Sequence, residues 1–310
     1  MGSILGLFNL TLLSATLRVS VPLVLAGLCY VICARAGVTD MGLEGKMLFA
    51  AFMAVLFTDL TGSPFLGALG AMLSTAVVSY LMGLVLIKLH AQQVIVGIGL
   101  NFLMQGITAV LMVVVWENPG SSASVSRLSS GLPDLFAKIP VIGDAFAMQT
   151  PILFIALLMV AAAHVFLFYT RAGLRMRSVG ENPMAADSLG INVQRYRIAA
   201  CVVGGMLCGL AGADLTIGQL GYFARNMTSG RGYIALACGV VGRFKPSGML
   251  LTALLIALVD ALQVRLQTLF NLPPQFFQIV PYVVPIIVIS CFGGVKGPDG
   301  MGKPYRRGER

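Results

Sequence analysis

Long apolar segments, separated by short polar ones, follow one another along almost the whole chain. The segments 65–87, 94–116 and 150–169 contain no Asp, Glu, Lys or Arg. Each has about the 20 residues that an α-helix needs to cross roughly 30 Å of hydrocarbon at about 1.5 Å per residue. Further apolar segments of similar length are 19–34, 198–217, 247–264 and 276–292. The pattern therefore predicts several membrane-crossing α-helices rather than a single anchor.

Three other apolar segments do not fit a simple crossing helix. Segments 47–60 and 233–241 are too short to cross unaided, which predicts broken or re-entrant helices buried in protein. Segment 4–17 is predicted to break from segment 19–34 between Arg18 and Pro22, and either a crossing or an interfacial helix fits it. Together the segments predict an all-α polytopic membrane protein with one transmembrane domain over residues 1–310. We expect about 8–10 transmembrane helices, including the short or broken ones.

The composition agrees with this pattern. The 310 residues are 57% hydrophobic and only 11% charged, whereas soluble domains carry about 25% charged residues. This number of charged residues is too small to cover a water-exposed surface. Most of the chain must therefore be surrounded by lipid or by other apolar helices. The 6 cysteines lie in apolar segments without CxxC spacing. We interpret them as small hydrophobic residues and predict no metal site.

The distribution of basic residues predicts which segments face the cytoplasm. The formal net charge is +9, and Lys and Arg concentrate in short polar segments and at the C-terminus. Such clusters beside membrane spans mark the cytoplasmic side, whereas a nucleic-acid partner would require a basic folded face with aromatic residues. We therefore predict a cytoplasmic loop at 171–197, a cytoplasmic tail at 296–310 and no nucleic-acid binding. The long segment 117–149 is polar and poor in basic residues, which predicts an external loop.

A weak internal similarity links the two short apolar segments. Four positions recur at the same spacing, namely Gly45, Lys46, Ala50 and Val55 in the first and Gly230, Arg231, Ala235 and Val240 in the second. The polar loop before the first segment is predicted inside, and the loop before the second is predicted outside. An inverted repeat would give this arrangement. Chance similarity between apolar segments is the alternative, and the sequence leaves both open.

The polar segment 180–190 has the signals of a short capped helix. Asn182 can accept a hydrogen bond from the first free amides, and Pro183 suits the first helical position. Gly190 can adopt the left-handed conformation that ends a helix. An isolated helix of this length is not stable in water, so it needs a surface on which to dock. That surface is either a groove on another protein or the rest of this chain.

The same segment resembles a known family. Residues 180–197 read GENPxAAxxxGIxVxxxR, and residues 204–213 read GGxxxGLAGA. Both are similar to the permease subunits of bacterial ABC importers for simple sugars, nucleosides and branched-chain amino acids. The segment 34–45 resembles the SGVxNxGLEG loop of the nucleoside and sugar branch, with Asp40 and Met41 in place of the usual Asn and Ile. The resemblance covers nearly the whole chain and is closest to the purine nucleoside type.

The resemblance implies a permease domain that carries a nucleoside or simple sugar across the bacterial inner membrane. It implies as partners a cytoplasmic ATPase subunit, a second and usually different permease subunit, and an external solute-binding protein or lipoprotein. ATP would be bound by a partner, so this chain would have no cofactor and no catalytic residue. The coupling helix that contacts the ATPase would involve the motif residues Gly180, Glu181, Asn182, Pro183, Ala185, Ala186 and Gly190.

Residues 297–303 superficially match the phosphate-binding pattern GxxxxGK. Pro304 follows where a Mg²⁺-binding Ser or Thr is required, and no strand pattern precedes the loop. We therefore expect ATP hydrolysis in another chain. Since no nucleophile, metal or acid–base cluster occurs at a diagnostic spacing, we expect a transport subunit rather than an enzyme.

Polar residues within apolar segments are candidates for the substrate pathway. Gly97, Asn101, Gln105 and Thr108 share one helix face, and amides are costly against lipid. We predict that Asn101, Gln105 and Thr108 line the pathway; hydrogen bonds between helices are the alternative. Glu44 is assigned to the pathway as well, since its loop would shape a gate, with capping of the adjacent helix as the alternative.

An ion-coupled secondary carrier is the alternative function. Asp214 and Asp260 lie at or near the ends of apolar segments, and an intramembrane carboxylate could carry a proton. A position near the interface, beside water or a cation such as Arg265, would give them no such role. Dependence of uptake on ATP or on an ion gradient separates the two functions.

Overall fold

The computed structural model describes residues 10–128, 149–269 and 296–305, together with the helical residues 283, 287 and 290. Across these ranges the chain is α-helical, with one π-helical segment and an isolated bridge between Ser121 and Ala224. In chain order the helices are α1 (Leu10–Arg35), α2 (Leu43–Thr61), α3 (Pro64–Lys88), α4 (Gln93–Trp116), α5 (Pro151–Tyr169), α6 (Arg171–Glu181), α7 (Pro183–Ser188), α8 (Val193–Ala213), α9 (Arg231–Val241) and α10 (Pro246–Leu269). The π-helical segment Asp214–Leu220 continues α8.

The predicted all-α polytopic membrane fold is confirmed. In the described part of the chain, 6 helices are long and apolar enough to cross a membrane: α1, α3, α4, α5, α8 with its π-helical extension, and α10. Apolar side chains on their surfaces are exposed, including Phe102 at 69%, Leu158 at 67% and Leu73 at 61%. An apolar surface of this extent requires lipid or another protein to cover it. The predicted segment 276–292 lies outside the described residues.

The predicted break between residues 18 and 22 is wrong, because α1 runs from Leu10 to Arg35 without interruption. Pro22 has no amide hydrogen to bond the carbonyl oxygen of Arg18 four residues earlier. The side-chain amide of Gln219 donates to that oxygen instead, at 3.2 Å. A partner from a distant segment therefore allows the helix to continue through proline.

The central helix α2 is longer than segment 47–60 predicted. It is an unbroken helix of 19 residues from Leu43 to Thr61, so the expected broken helix is wrong for this segment. Its first turn contains Glu44 and Lys46, whose charges hid the start of the helix in the sequence. Because α2 packs against α3, α4 and α8, its polar groups have protein partners rather than lipid. The other short segment is confirmed as short, since α9 has 11 residues.

Small residues allow α8 to approach α3 closely. A methyl group at Gly209 would lie 2.7 Å from the Cα atom of Met72, and one at Gly205 would overlap the side chain of Ser79. The glycine spacing in 204–213 is therefore a packing feature, as small residues four apart on a helix predict.

Candidate functional site

The short helix predicted in segment 180–190 is α7, and both of its ends are capped. The side-chain oxygen of Asn182 accepts a hydrogen bond from the Ala185 amide at 3.0 Å. Pro183 occupies the first turn of the helix. At the other end Gly190 has a φ of 79°, and its amide donates to the Asp187 carbonyl at 2.9 Å. The local sequence signals therefore place this helix correctly.

One face of α7 is buried and the other is exposed. Ala186 packs among Val179, Val193 and Tyr305. On the other side Met184 is 56% exposed, and Leu189, just after the helix, is 78% exposed. Packing on its own chain accounts for the buried face but leaves two large apolar side chains uncovered. An exposed apolar face on so short a helix is typical of a docking element.

The residues before α7 attach it to the end of α1. Gly180 is buried against the backbone of Arg35 and Gly37. The Glu181 carboxylate lies 4.0 Å from the Arg35 guanidinium, with the Glu181 side chain 53% exposed. Of the predicted coupling residues, Gly180 and Ala186 face inward, whereas Glu181 and Ala185 face outward.

A second feature is a cleft of about 320 Å³ beside α4. Its polar lining residues are Gln105, Thr108, Arg225 and Asn226, and its aromatic ones are Phe102 and Phe223. The Gln105 amide donates to the Asn226 side-chain oxygen at 2.9 Å. Its volume lies within the range of roughly 300–1,000 Å³ that is typical of small-molecule sites. The structure therefore places two of the predicted pathway residues, Gln105 and Thr108, at one opening.

Asn101 lies one turn earlier on α4 and does not line this cleft. Its amide nitrogen donates to the Met41 carbonyl at 2.9 Å and to the Tyr233 hydroxyl at 3.0 Å. Its side-chain oxygen accepts from the Gly45 amide at 2.8 Å. Asn101 thus ties α4 to α9 and to the start of α2, which favours the interhelical alternative for this residue.

Glu44, in the first turn of α2, caps the N-terminus of α9. One carboxylate oxygen accepts from the Thr228 hydroxyl at 2.6 Å and the Gly230 amide at 2.8 Å, and the other accepts from the Gly232 amide at 2.7 Å. A carboxylate at this position satisfies free amides and the positive end of the helix dipole. Glu44 therefore caps a helix, but this helix is the distant α9 and not the adjacent α2 that the capping alternative named. The N-termini of the two short segments that share a sequence pattern therefore meet, although the repeat itself stays a prediction.

A buried ion pair lies beside Glu44, and the sequence analysis missed it. The Lys46 ammonium is 2.6 Å from the Asp40 carboxylate, and the side chains are 0% and 1% exposed. The Gly42 amide donates to the other Asp40 oxygen at 3.1 Å. The sequence did contain a signal for this pair. Asp40 stands where the resembled loop usually has Asn, and Lys46 follows six residues later at the start of an apolar segment.

Asp40 also lies near two thiols, and the three side chains have ligand atoms within 4.8 Å of one another: Cys29, Cys33 and Asp40. The Asp40 oxygen that lies nearest the two thiols also accepts a hydrogen bond from the Lys46 ammonium. A metal cation there would meet that positive charge at short range. The geometry therefore fits an ion pair flanked by thiols and does not fit a cation site.

The carboxylate of Asp214, considered above as a proton carrier, has partners on both oxygens. It is 1% exposed. One oxygen accepts from the Thr150 hydroxyl at 3.0 Å and the other accepts from the Gln219 side-chain amide at 2.8 Å. Because Gln219 also bonds the Arg18 carbonyl, Asp214 belongs to a network that joins α1, α5 and α8. Asp214 therefore has a structural role in holding these helices together.

The fold and these sites define a multi-pass membrane permease. The chain belongs to the family described as the branched-chain amino acid transport system permease component, whose profile matches residues 12–289. The resemblance to ABC importer permeases read from the sequence motifs is thereby confirmed. No solved structure matches the chain.

Three relatives illustrate the range of this family. A nucleoside ABC transporter permease of Lactococcus lactis is 35% identical over 297 residues, which cover 92% of this chain and 93% of that protein. A guanosine ABC transporter permease of Bacillus subtilis is 34% identical over 310 residues, 96% of each chain. A putative glucose ABC transporter permease of Haloferax volcanii is 33% identical over 310 residues, 91% of this chain and 92% of that protein.

Proposed function

We propose that this chain is the permease subunit of an ATP-driven nucleoside importer in the bacterial inner membrane. A separate cytoplasmic subunit binds and hydrolyses ATP, and α7 is the coupling helix that docks on it. The observation that carries this proposal is the exposed apolar face of a doubly capped helix, formed by Met184 and Leu189. The nucleoside permeases among the relatives support the choice of solute class.

Docking of α7 gives the ATPase a mechanical connection to the membrane helices. Met184 and Leu189 would enter a groove on the ATPase, as apolar anchors of short helices do. The opposite face is fixed to α6 through Val179 and to α8 through Val193. A displacement of α7 on ATP binding would therefore move α6 and α8 with it.

The cleft beside α4 suits a solute with hydrogen-bonding edges and a flat ring. The side-chain amides of Gln105 and Asn226 can donate to and accept from a base or a ribose hydroxyl. The exposed ring of Phe102 offers an apolar face on which a base can stack. The wall therefore has the groups that a nucleoside needs, and we propose that it lines the pathway.

The second permease subunit would close this pathway. Only 22% of the membrane-spanning part of α4 is buried inside the chain. The side chains of Phe102, which lines the cleft, and of Val110, on the same helix, are 69% and 63% exposed. We propose that a paralogous permease chain covers this side of α4 and that an external solute-binding protein delivers the nucleoside between the two chains.

The proposal is tested with the complete assembly in liposomes that hold ATP on the ATPase side. Radiolabelled guanosine, uridine and glucose are offered on the other side, with and without a protonophore. We expect guanosine or uridine to accumulate only with ATP and to be unaffected by the protonophore. Accumulation of glucose alone would refute the solute class. Uptake that follows a proton gradient without ATP would refute the ATP-driven mechanism and favour the ion-coupled carrier.

A further inference from the structure

The C-terminal residues 297–305, here called the strap, lie directly against the segment that precedes α7. The Gly300 amide donates to the Gly180 carbonyl oxygen at 2.9 Å. The Asp299 amide donates to the Glu181 carboxylate at 3.3 Å. The strap thus bonds to the two residues at which α6 ends and the connection to α7 begins.

A buried arginine holds the strap from the membrane side. Arg197, in α8, is 3% exposed. One of its terminal nitrogens donates to the Lys303 carbonyl at 3.1 Å and the other donates to the Gly300 carbonyl at 3.4 Å. A guanidinium holds two acceptors on separate nitrogens of a rigid planar fork, whereas a lysine ammonium is a single nitrogen on a flexible stem. Arg197 therefore fixes the strap to α8 at two points.

The strap also bonds to two loops that connect membrane helices. The Gly302 amide donates to the Gly37 carbonyl at 3.3 Å, just after α1. A ring nitrogen of His90, between α3 and α4, lies 3.1 Å from the Tyr305 carbonyl. With Arg197 this makes connections to α1, to α8 and to the α3–α4 loop. A displacement of the strap would therefore displace these three elements as well.

The strap supplies part of the surface on which α7 rests. The Tyr305 side chain packs with Ala186 on the buried face of α7, together with Val179 and Val193. A helix of 6 residues is not stable without such contacts. Gly190, which adopts the left-handed conformation just after α7, would otherwise allow the helix to change direction.

We infer that the strap positions α7 and passes its displacement to α1 and α8, so that ATP hydrolysis drives transport. The inference rests on the proposed function of α7 as the coupling helix. A loop that lost the strap contacts would still present Met184 and Leu189 to the ATPase, on a less stable helix, but the loop would absorb the movement that the ATPase imposes. The strap would therefore set the number of solute molecules moved per ATP rather than the binding of the ATPase.

The glycine pattern that resembles a phosphate loop has a role in this contact. A methyl group at Gly300 would lie 2.7 Å from the Gly180 carbonyl oxygen and 3.0 Å from the Pro183 ring. Because the nearest atom belongs to the backbone, Gly300→Ala must displace the strap from α7. The nearest atoms to a methyl group at Gly297 would belong to the side chains of Met301 and Phe244, at 3.3 and 3.4 Å. Gly297→Ala is therefore the matched control, with the same change three residues earlier.

The experiment compares wild type, Gly300→Ala and Gly297→Ala in the complete assembly. Hydrogen exchange of the amides of residues 185–188 reports on the stability of α7, and guanosine uptake per ATP hydrolysed reports on coupling. For Gly300→Ala we expect roughly tenfold faster exchange and a severalfold lower coupling ratio. The ATPase should still co-purify, because Met184 and Leu189 are unchanged. Gly297→Ala should match wild type in all three measurements.

Gly300→Ala with wild-type exchange and coupling would overturn the inference and leave the proposed function intact. Loss of ATPase co-purification in Gly300→Ala would also overturn it, because the strap would then act in binding. If wild type shows no ATP-driven guanosine uptake, the proposed function fails, and the exchange measurement alone decides whether the strap positions α7. If Gly300→Ala does not fold, Arg197→Lys takes its place, since it keeps the charge and loses the two-point attachment to the strap. The same results are expected of it, and wild-type exchange and coupling would again overturn the inference.

Discussion

Asp40 and Lys46 lie in the interior of the protein, where water does not solvate their charges. Each residue therefore neutralises the charge of the other. Their charged atoms are 2.6 Å apart with almost no exposure. Bringing two charges out of water costs several kcal/mol each, so the pair adds little net stability. Removal of one partner is different, because it leaves the other charge buried and unpaired. The pair therefore makes the start of α2 sensitive to single substitutions.

Asp40→Asn should lower the free energy of unfolding by about 3–5 kcal/mol, because Lys46 would remain buried without a counter-charge. Denaturant titration in detergent measures this change. The double change Asp40→Asn with Lys46→Met serves as the control and should recover most of the lost stability, since no charge is then buried. Equal stability of wild type and Asp40→Asn would show that the pair is not ionised as described.

Gln105 contributes an amide to the wall of the cleft beside α4. Gln105→Ala removes an amide from the wall, and one lost hydrogen bond costs roughly 0.5–1.5 kcal/mol. The guanosine concentration at half-maximal uptake should therefore rise by about 2- to 12-fold, with basal ATP hydrolysis unchanged. Gly99→Ala is the control on the same helix, because a methyl group there meets no atom within 4 Å. If both variants resemble wild type, Gln105 does not contact the solute.

Asp214→Asn separates the two candidate mechanisms at the same scale. The Asp214 oxygens accept from the neutral donors Thr150 and Gln219, so an amide can keep part of this network without a titratable group. We expect ATP-driven guanosine uptake to stay within about threefold of wild type, the cost of a modest hydrogen-bond change. Initial rates in liposomes measure this. Complete loss of uptake in a folded variant would support the ion-coupled carrier.

At the scale of the element, α7 combines local and distant determinants. Its caps, Asn182 and Gly190, act within a few residues, so the sequence predicts where the helix begins and ends. The surface on which it rests includes Tyr305, which is more than 100 residues away in the chain. The sequence therefore predicts the helix but not the contact that orients it.

Replacing both Met184 and Leu189 by Ser should abolish co-purification of the ATPase. The substitutions remove the apolar anchors on the exposed face, while Ala186 still holds the opposite face in place. The amount of ATPase retained with the affinity-purified permease measures the effect, and we expect a drop of at least tenfold, equivalent to about 1.4 kcal/mol. The swap Met184→Leu with Leu189→Met preserves an apolar face and should retain the ATPase. Retention by the serine variant would place the docking surface elsewhere.

Other elements show why parts of the fold could not be predicted from the sequence. The break predicted near Pro22 is compensated by Gln219, a residue in the π-helical segment about 200 positions later. The start of α2 was hidden because Glu44 and Lys46 are charged, and their partners come from α9 and from Asp40. The hydropathy of a residue expresses its preference for lipid or water. It contains no information about the partner with which the residue pairs inside the folded protein.

Among the predicted pathway residues, some lie where the sequence predicts and others are used for contacts between helices. Gln105 and Thr108 were correctly placed on a common face of α4, and both lie at the cleft. Asn101 shares that face, but Tyr233 and Gly45 use its hydrogen-bonding groups. The helical period predicts the direction of a side chain, whereas its partner depends on the fold.

At the scale of the whole molecule, two helices that begin in the interior are surrounded by longer helices that face outward. The N-termini of α2 and α9 meet at Glu44, and the polar network around them lies apart from the exposed apolar surfaces of α3, α4 and α5. Coupling would enter at α7, pass through the strap to α1 and α8, and reach the cleft beside α4 through α2. Buried polar contacts thus join α2 and α9 where the two helices begin.

In the proposed mechanism, ATP hydrolysis in a partner subunit acts on this membrane chain through α7. The most direct measurement is guanosine accumulation in liposomes that contain the complete assembly and ATP, with residues 182–186 native or replaced by a flexible Gly-Ser linker. We expect accumulation with the native segment and none above the ATP-free level with the linker. Equal accumulation by the two assemblies would contradict it.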